Sequence, residues 1–98
     1  MNRILLIIVG CLTILHVEAQ STDRDHIRVG NRAYRNQQYD QAETSYLRAL
    51  SKQNSYEAFY NLGNAYLMQG KDSTGAAQLM NADSLGTTNL KKRAMTYH

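Results

Sequence analysis

The stretch Tyr56-Glu57-Ala58-Phe59-Tyr60-Asn61-Leu62-Gly63-Asn64-Ala65-Tyr66 decides how this chain folds, because its second half has an earlier counterpart. Gly30-Asn31-Arg32-Ala33-Tyr34 recurs in outline as Gly63-Asn64-Ala65-Tyr66-Leu67, 33 residues later. The spacing downstream repeats as well. Ala42, Tyr46 and Ala49 follow Gly30 at the same steps by which Gly75, Leu79 and Ala82 follow Gly63. A period of roughly 20–50 residues marks an array of supersecondary units, each burying its apolar face against the next.

Those steps are helical ones. Residues three and four apart share one face of a helix, so Ala42, Tyr46 and Ala49 form a single stripe. Two alanines flanking one large ring let a neighbouring helix come close while the ring fills the gap. Gly30 and Gly63 are expected to do the same on the first helix of each pair, with Val29 and Leu62 as apolar partners beside them. Proline is absent from the whole sequence and strand-like alternation is hard to find, so the chain reads as all-α.

Helix punctuation follows the repeat. Asp23 is read as the cap of a first helix running to about Gln37, and Tyr39-Asp40 as the start of a second ending near Lys52. Asn54-Ser55 caps a third, which runs to Gln69 and is stopped by Gly70. Asp72-Ser73 opens a fourth, closed by Gly86. Thr87-Thr88-Asn89 then caps a fifth, beginning at Leu90.

The beginning of the chain has a different character. Met1-Asn2-Arg3 carries one positive charge, an apolar run extends from Ile4 to Leu15, and Val17-Glu18-Ala19 offers a small-residue exit. These are the three parts of a secretory signal peptide, placing cleavage after Ala19. Two alternatives stand beside it. Ile8-Val9-Gly10-Cys11 resembles a bacterial lipobox, although the apolar run continues past Cys11, and an uncleaved membrane anchor would need roughly 20 apolar residues. Cys11 is the one cysteine in the sequence, so a mature domain starting at Gln20 has no disulfide, which is ordinary in a bacterial periplasm. A net charge of +3 spread along the chain is too mild to argue for nucleic acid.

The repeated residues resemble the tetratricopeptide-repeat (TPR) family. Gly30, Tyr34, Tyr39, Ala42, Tyr46, Ala49 and Leu50 carry the likeness in the first copy; the run 58–66, Gln69-Gly70-Lys71 and Ala82 carry it in the second. Asn54 in place of the usual proline, Gly75 in place of alanine and Asp72 in place of an aromatic are departures, and glycine costs a helix about 1 kcal/mol relative to alanine. The resemblance implies a solenoid of antiparallel helix pairs. Its parts would be a signal peptide at 1–19, a short linker at 20–22, one repeat at 23–54, a second at 55–86 and, at 87–98, a truncated third repeat or capping helix. Export together with the Tyr56–Asn64 run is similar to the small TPR proteins of bacterial aerotolerance (Bat) operons.

What the resemblance implies for function is binding without catalysis. The first helix of each pair lines a concave surface that holds a peptide or a partner helix. Ile27, Asn31, Tyr34 and Arg35 would line it from the first repeat, and Tyr60, Asn61, Asn64, Leu67 and Met68 from the second. An asparagine amide serves an extended backbone well, because it offers both a donor and an acceptor. Asn31 and Asn61 match two positions of the family's carboxylate-binding subclass, but Ile27 stands where that subclass has lysine, so a complete clamp is not expected. Hydrogen bonding between the helices themselves is the competing role for Asn31 and Asn64.

Other residues draw weaker expectations. Tyr34, Tyr39, Tyr46 and Tyr66 occupy family packing positions, while Tyr56 and Tyr60 are freer for contact. Lys91-Lys92-Arg93 reads as a solvated helix face. Isolated histidines, the lone cysteine and unpaired acids supply neither a catalytic set nor metal-ligand spacing, and no cofactor is expected. The expected product is an exported, periplasmic interaction module with a protein or peptide partner and no nucleic acid. The alternative is a structural subunit of an envelope complex held in the inner membrane by its N-terminal segment, or by a lipid.

Overall fold

A computed structural model of the chain describes residues 21–96, with side chains through Lys91; the proposed signal segment and the lipobox-like Cys11 lie outside the described residues. Among the described residues four helices run in order: α1 (Asp23–Arg35), α2 (Tyr39–Lys52), α3 (Tyr56–Met68) and α4 (Asp72–Thr96). Among the described residues there is no strand. Each helix packs against the next in sequence, and α1 also touches α3.

The starts of α1 and α3 follow side-chain chemistry. Thr22, not Asp23, is the cap of α1: its hydroxyl accepts from the Asp25 N–H at 3.3 Å, and the Asp25 carboxylate accepts from the Thr22 N–H at 3.1 Å. This reciprocal box satisfies two donors that the first turn would otherwise leave open. Asp23 and Asp25 at the start and Arg32 and Arg35 at the end also suit the helix dipole. Ser55 caps α3 as expected, accepting from the Ala58 N–H at 3.1 Å.

The repeat is visible in the turns. After α1, Gln38 N–H donates to the Ala33 carbonyl at 2.9 Å; after α3, Lys71 N–H donates to the Tyr66 carbonyl at 3.0 Å, the same bond 33 residues on. Each turn passes through a left-handed residue, Gln37 at φ 61° and Gly70 at φ 77°. That conformation halts α1 at Arg35, two residues before the expected end near Gln37.

Packing joins the pairs into one core. Ala33, Ala42, Tyr46, Leu62 and Ala65 form its larger cluster, with Tyr34, Leu50 and Tyr66 against its margin. Ile27, Ala49 and Ala58 form a smaller one, bridged to the first by Leu50. Tyr46, Ile27 and Leu62 are the largest fully buried side chains, and burial of each stabilises the fold by about 1.5–3 kcal/mol. The small residues act as expected. A Cβ on Gly30 would lie 2.5 Å from Cε1 of Tyr46, and one on Gly63 would lie 2.8 Å from Cδ2 of Leu79 and 3.1 Å from the Gly75 carbonyl.

Two expectations are corrected here. Val29 is not an apolar partner of Gly30: it is 56% exposed, whereas Leu62, its counterpart one repeat later, is completely buried. Leu62 packs into the cluster built by α1 and α2, while no described helix covers the corresponding side of α1. The substitutions between copies agree with this, since buried Ala58 and Ala65 correspond to exposed Asp25 and Arg32. The second correction concerns α4, which continues through Gly86 to Thr96 as one helix, so Gly86 does not close it and no fifth helix starts at Leu90. Gly86 does not adopt the left-handed turn of Gly70, and Thr88 does not cap; its hydroxyl donates back to the Ser84 carbonyl at 2.9 Å. Residues 87–91 of this extension are exposed.

Candidate functional site

A recess of about 250 Å³ opens between α1 and α3, lined by Asn31, Tyr34, Arg35, Tyr46, Asn61 and Asn64. The two helices that frame it are one repeat apart. Their approach is held by Arg24 and Glu57, whose side chains meet at 2.7 Å across the gap. Both groups are about half exposed, so the pair contributes little more than orientation.

The recess is organised from its inner wall. Tyr46, on α2, reaches it with its hydroxyl, which donates to Asn31 Oδ1 at 2.7 Å. Asn61 Nδ2 donates to the same oxygen at 3.2 Å. Both bonds end on the acceptor atom of the Asn31 amide, so its Nδ2 is the atom left for other partners. Asn64 and Arg35 make no side-chain hydrogen bond among the described residues, nor does Arg35 join an ion pair there. Burial, reinforced by nearby Tyr34, pushes the Tyr46 phenol up to about 12. It is therefore a permanent donor near neutral pH.

The sequence-predicted liners divide into three sets. Asn31, Tyr34, Arg35, Asn61 and Asn64 are brought together around the recess. Tyr60, Leu67 and Met68 lie outside it, on the exposed side of α3, at 46%, 38% and 52% exposure. Tyr60 stacks on Tyr56, with ring centroids 5.9 Å apart and planes 11° from parallel. Tyr56 and Leu67 also lie against α4: a Cβ on Gly86 would be 3.3 Å from Tyr56 Cδ2, and one on Gly75 would be 3.0 Å from Leu67 Cδ2. Ile27 is the third case and a correction. Its side chain is 1% exposed and belongs to the cluster with Ala49 and Ala58, so it supports the wall and is not available to a ligand.

Tyr46 is not among the lining residues expected from the sequence. Its place in the stripe reads as core, and the ring is indeed buried at 1% exposure. The missed signal was the hydroxyl: a tyrosine in a packing stripe needs a polar partner, and Asn31 stands 15 residues before it. Tyr34 also has a structural share, meeting Tyr39 edge to face at 5.2 Å. Behind the site, Gln69 Nε2 donates to Glu43 at 3.1 Å and to the Ala65 carbonyl at 3.0 Å, while Lys71 pairs with Glu43 at 3.1 Å. These contacts fasten the second turn to α2.

No family model matches the chain, and neither a curated protein nor a solved structure gives a match.

Proposed function

We propose that this chain is a TPR-type interaction module, exported to the bacterial envelope, that holds an extended peptide or partner helix against the face shared by α1 and α3. One observation carries this reading. Helices one repeat apart converge on a recess where Asn64 and Arg35 have no partner of their own among the described residues and Asn31 keeps a free donor. Arg35 is exposed and Asn31 and Asn64 are partly buried, so these groups are open to solvent and to a ligand, and a few convergent polar groups in a recess are what orient a bound partner. The exposed Tyr56–Tyr60 stack on α3 adds apolar area at low entropic cost.

The 33-residue repeat, its twice-used turn and its small-residue contacts support the TPR-type arrangement. Export rests on the apolar segment after Arg3 and its exit at Ala19. The proposed partner is a protein or peptide in the periplasm, and the role is non-catalytic, with aerotolerance as the proposed setting. No described helix is long and apolar enough to cross a membrane; in the tethered alternative the N-terminal segment or a lipid on Cys11 is the proposed anchor.

Site-directed photocrosslinking in the native envelope tests the surface. A crosslinker at Tyr60 should trap a partner, one at exposed Leu47 should not, and equal trapping at both would overturn the assignment. The intact mass of the exported protein tests the other half. A start at Gln20 supports the soluble module, and a retained N-terminus or a lipidated Cys11 supports the tethered one.

A further inference from the structure

We infer that α4 is a self-association helix, whose outward face carries an antiparallel seam for α4 of a second copy of this chain. No residue of α4 lines the recess between α1 and α3, so the inference goes beyond the binding reading and does not depend on it.

α4 has 25 residues, where α1, α2 and α3 have 13, 14 and 13. Its inner side is accounted for. Gly75 lies against Leu67, Leu79 against Gly63 and Gly86 against Tyr56, while Ala82 is completely buried. The outer side has no neighbour. Ala76, Met80, Asp83, Thr87 and Leu90 are all exposed and follow one another by steps of four and three. That alternation is the heptad seam by which one helix packs along another. Met80 at 69% and Leu90 at 65% are the most exposed of the large apolar side chains among the described residues. Gly86 lies beside Tyr56, the first residue of α3, so the helix then runs past α3, and residues 87–91 are all exposed. A short helical stretch without neighbours is marginal in water, and packing against a second helix is what normally sustains one.

The spacing of the seam fits a second copy. Met80 and Leu90 stand five residues either side of Leu85, and Asp83 and Thr87 stand two either side. A second α4, laid antiparallel about a two-fold axis at that level, sets Met80 against Leu90 of the second copy. It also sets Asp83 against Thr87 of the second copy, whose hydroxyl can donate to the carboxylate. Each pair occurs twice, so one stripe serves both copies and the interface closes at two. Charge fixes the direction. Asp72 and Asp83 are the only charged residues in 72–86, and Lys91, Lys92 and Arg93 the only ones in 87–96. Antiparallel docking brings the acidic half of each helix to the basic half of the other, and parallel docking would set like charges together. Asp83 and Lys91 join no ion pair among the described residues. Eight residues of helix, at about 1.5 Å each, hold them too far apart to pair within one copy. Across the axis, Lys91 of the second copy comes beside Asp83.

Sedimentation equilibrium of the purified protein, from about 1 μM to 1 mM, tests this. The mass should rise from one copy to two and stop there. Two large apolar residues per copy make a small seam, so the dimer should fill in the upper part of that range. Leu90→Ser should weaken association by about tenfold or more, since each dimer loses the contact twice. Leu47→Ser, at an exposed apolar position on α2, should leave it unchanged. Asp83→Lys should weaken it by a similar factor, and adding Lys91→Asp should restore most of the loss. These positions are exposed, and circular dichroism of each variant separates loss of fold from loss of association. Hydrogen exchange needs no substitution: amides 87–91 should exchange more slowly as concentration rises. A single-copy mass at every concentration overturns the proposal, as does growth beyond two copies. So does a dimer that Leu90→Ser leaves intact, or a double charge variant that associates no better than Asp83→Lys.

Discussion

Tyr46 and Asn31 meet at 2.7 Å, and this bond joins the buried stripe of α2 to the solvent-facing recess between α1 and α3. One residue is 1% exposed and the other only partly buried, so the contact belongs to the core and to the site at once. Substitutions in the recess are therefore not equivalent, and the repeat does not make Asn31 and Asn64 interchangeable.

Asn31→Ala should lower stability by about 1–2 kcal/mol, because it strands the buried Tyr46 hydroxyl without its acceptor. Asn64→Ala, which breaks no bond within the described chain, should change it by no more than about 0.5 kcal/mol. Urea denaturation of the two variants gives the comparison. Equal losses would show that Asn64 is as structural as Asn31.

Gly30→Ala should destabilise the fold by about 1–3 kcal/mol, although alanine is the better helix former. The new methyl would sit 2.5 Å from the Tyr46 ring, which is packed too tightly to retreat. A midpoint at or above that of the parent protein would mean that α1 and α2 are not pressed together at this position.

The two turns make a paired prediction. Gln37 and Gly70 hold the same left-handed backbone, and only glycine does so without strain. Gln37→Gly should raise stability by up to about 1 kcal/mol, and Gly70→Ala should lower it by about 1–2 kcal/mol. No other atom comes within 4 Å of a Cβ at Gly70, so the loss there would report backbone strain alone. Thermal melts of both variants check the signs.

Asp25 links the first cap to pH. Hydrogen bonds from the Thr22 N–H and hydroxyl, followed by the nearby charge of Arg28, hold its carboxyl below the ordinary value of 3.8. A depressed folded-state value means that the contribution is fully present above the unfolded value and is lost as pH falls through the folded one. The wild-type chain should therefore lose part of its stability below about pH 4, and Asp25→Asn should flatten that part of the profile. Melts between pH 2 and about 6 would show it, and identical profiles would remove the cap from the account.

Much of the fold was legible because it depends on local rules. Ser55 marks a helix start by side-chain chemistry, and Gly70 stops α3 because glycine tolerates a positive φ. The Gly30–Tyr46 contact was legible too, as the repeat places a missing side chain opposite a large one. Five of the nine expected liners do meet around the recess. Ile27 and Val29 were misplaced for one common reason. Both are apolar residues on α1, and which of them is buried depends on where the neighbouring helices lie. Asp23 lost the cap to Thr22 because only the latter forms the reciprocal box with Asp25.

By itself the sequence determined the helical class, the 33-residue period, the turns and the stripes of small residues, since all of these arise from contacts a few residues apart or from backbone preference. The tertiary structure decided the rest. It buried Ile27 and exposed Val29, carried α4 straight through Gly86, and turned the Asn31 amide by setting Tyr46 and Asn61 against one oxygen. An amide has no preferred side of its own, so its direction is fixed only when donors 15 and 30 residues away are brought to it.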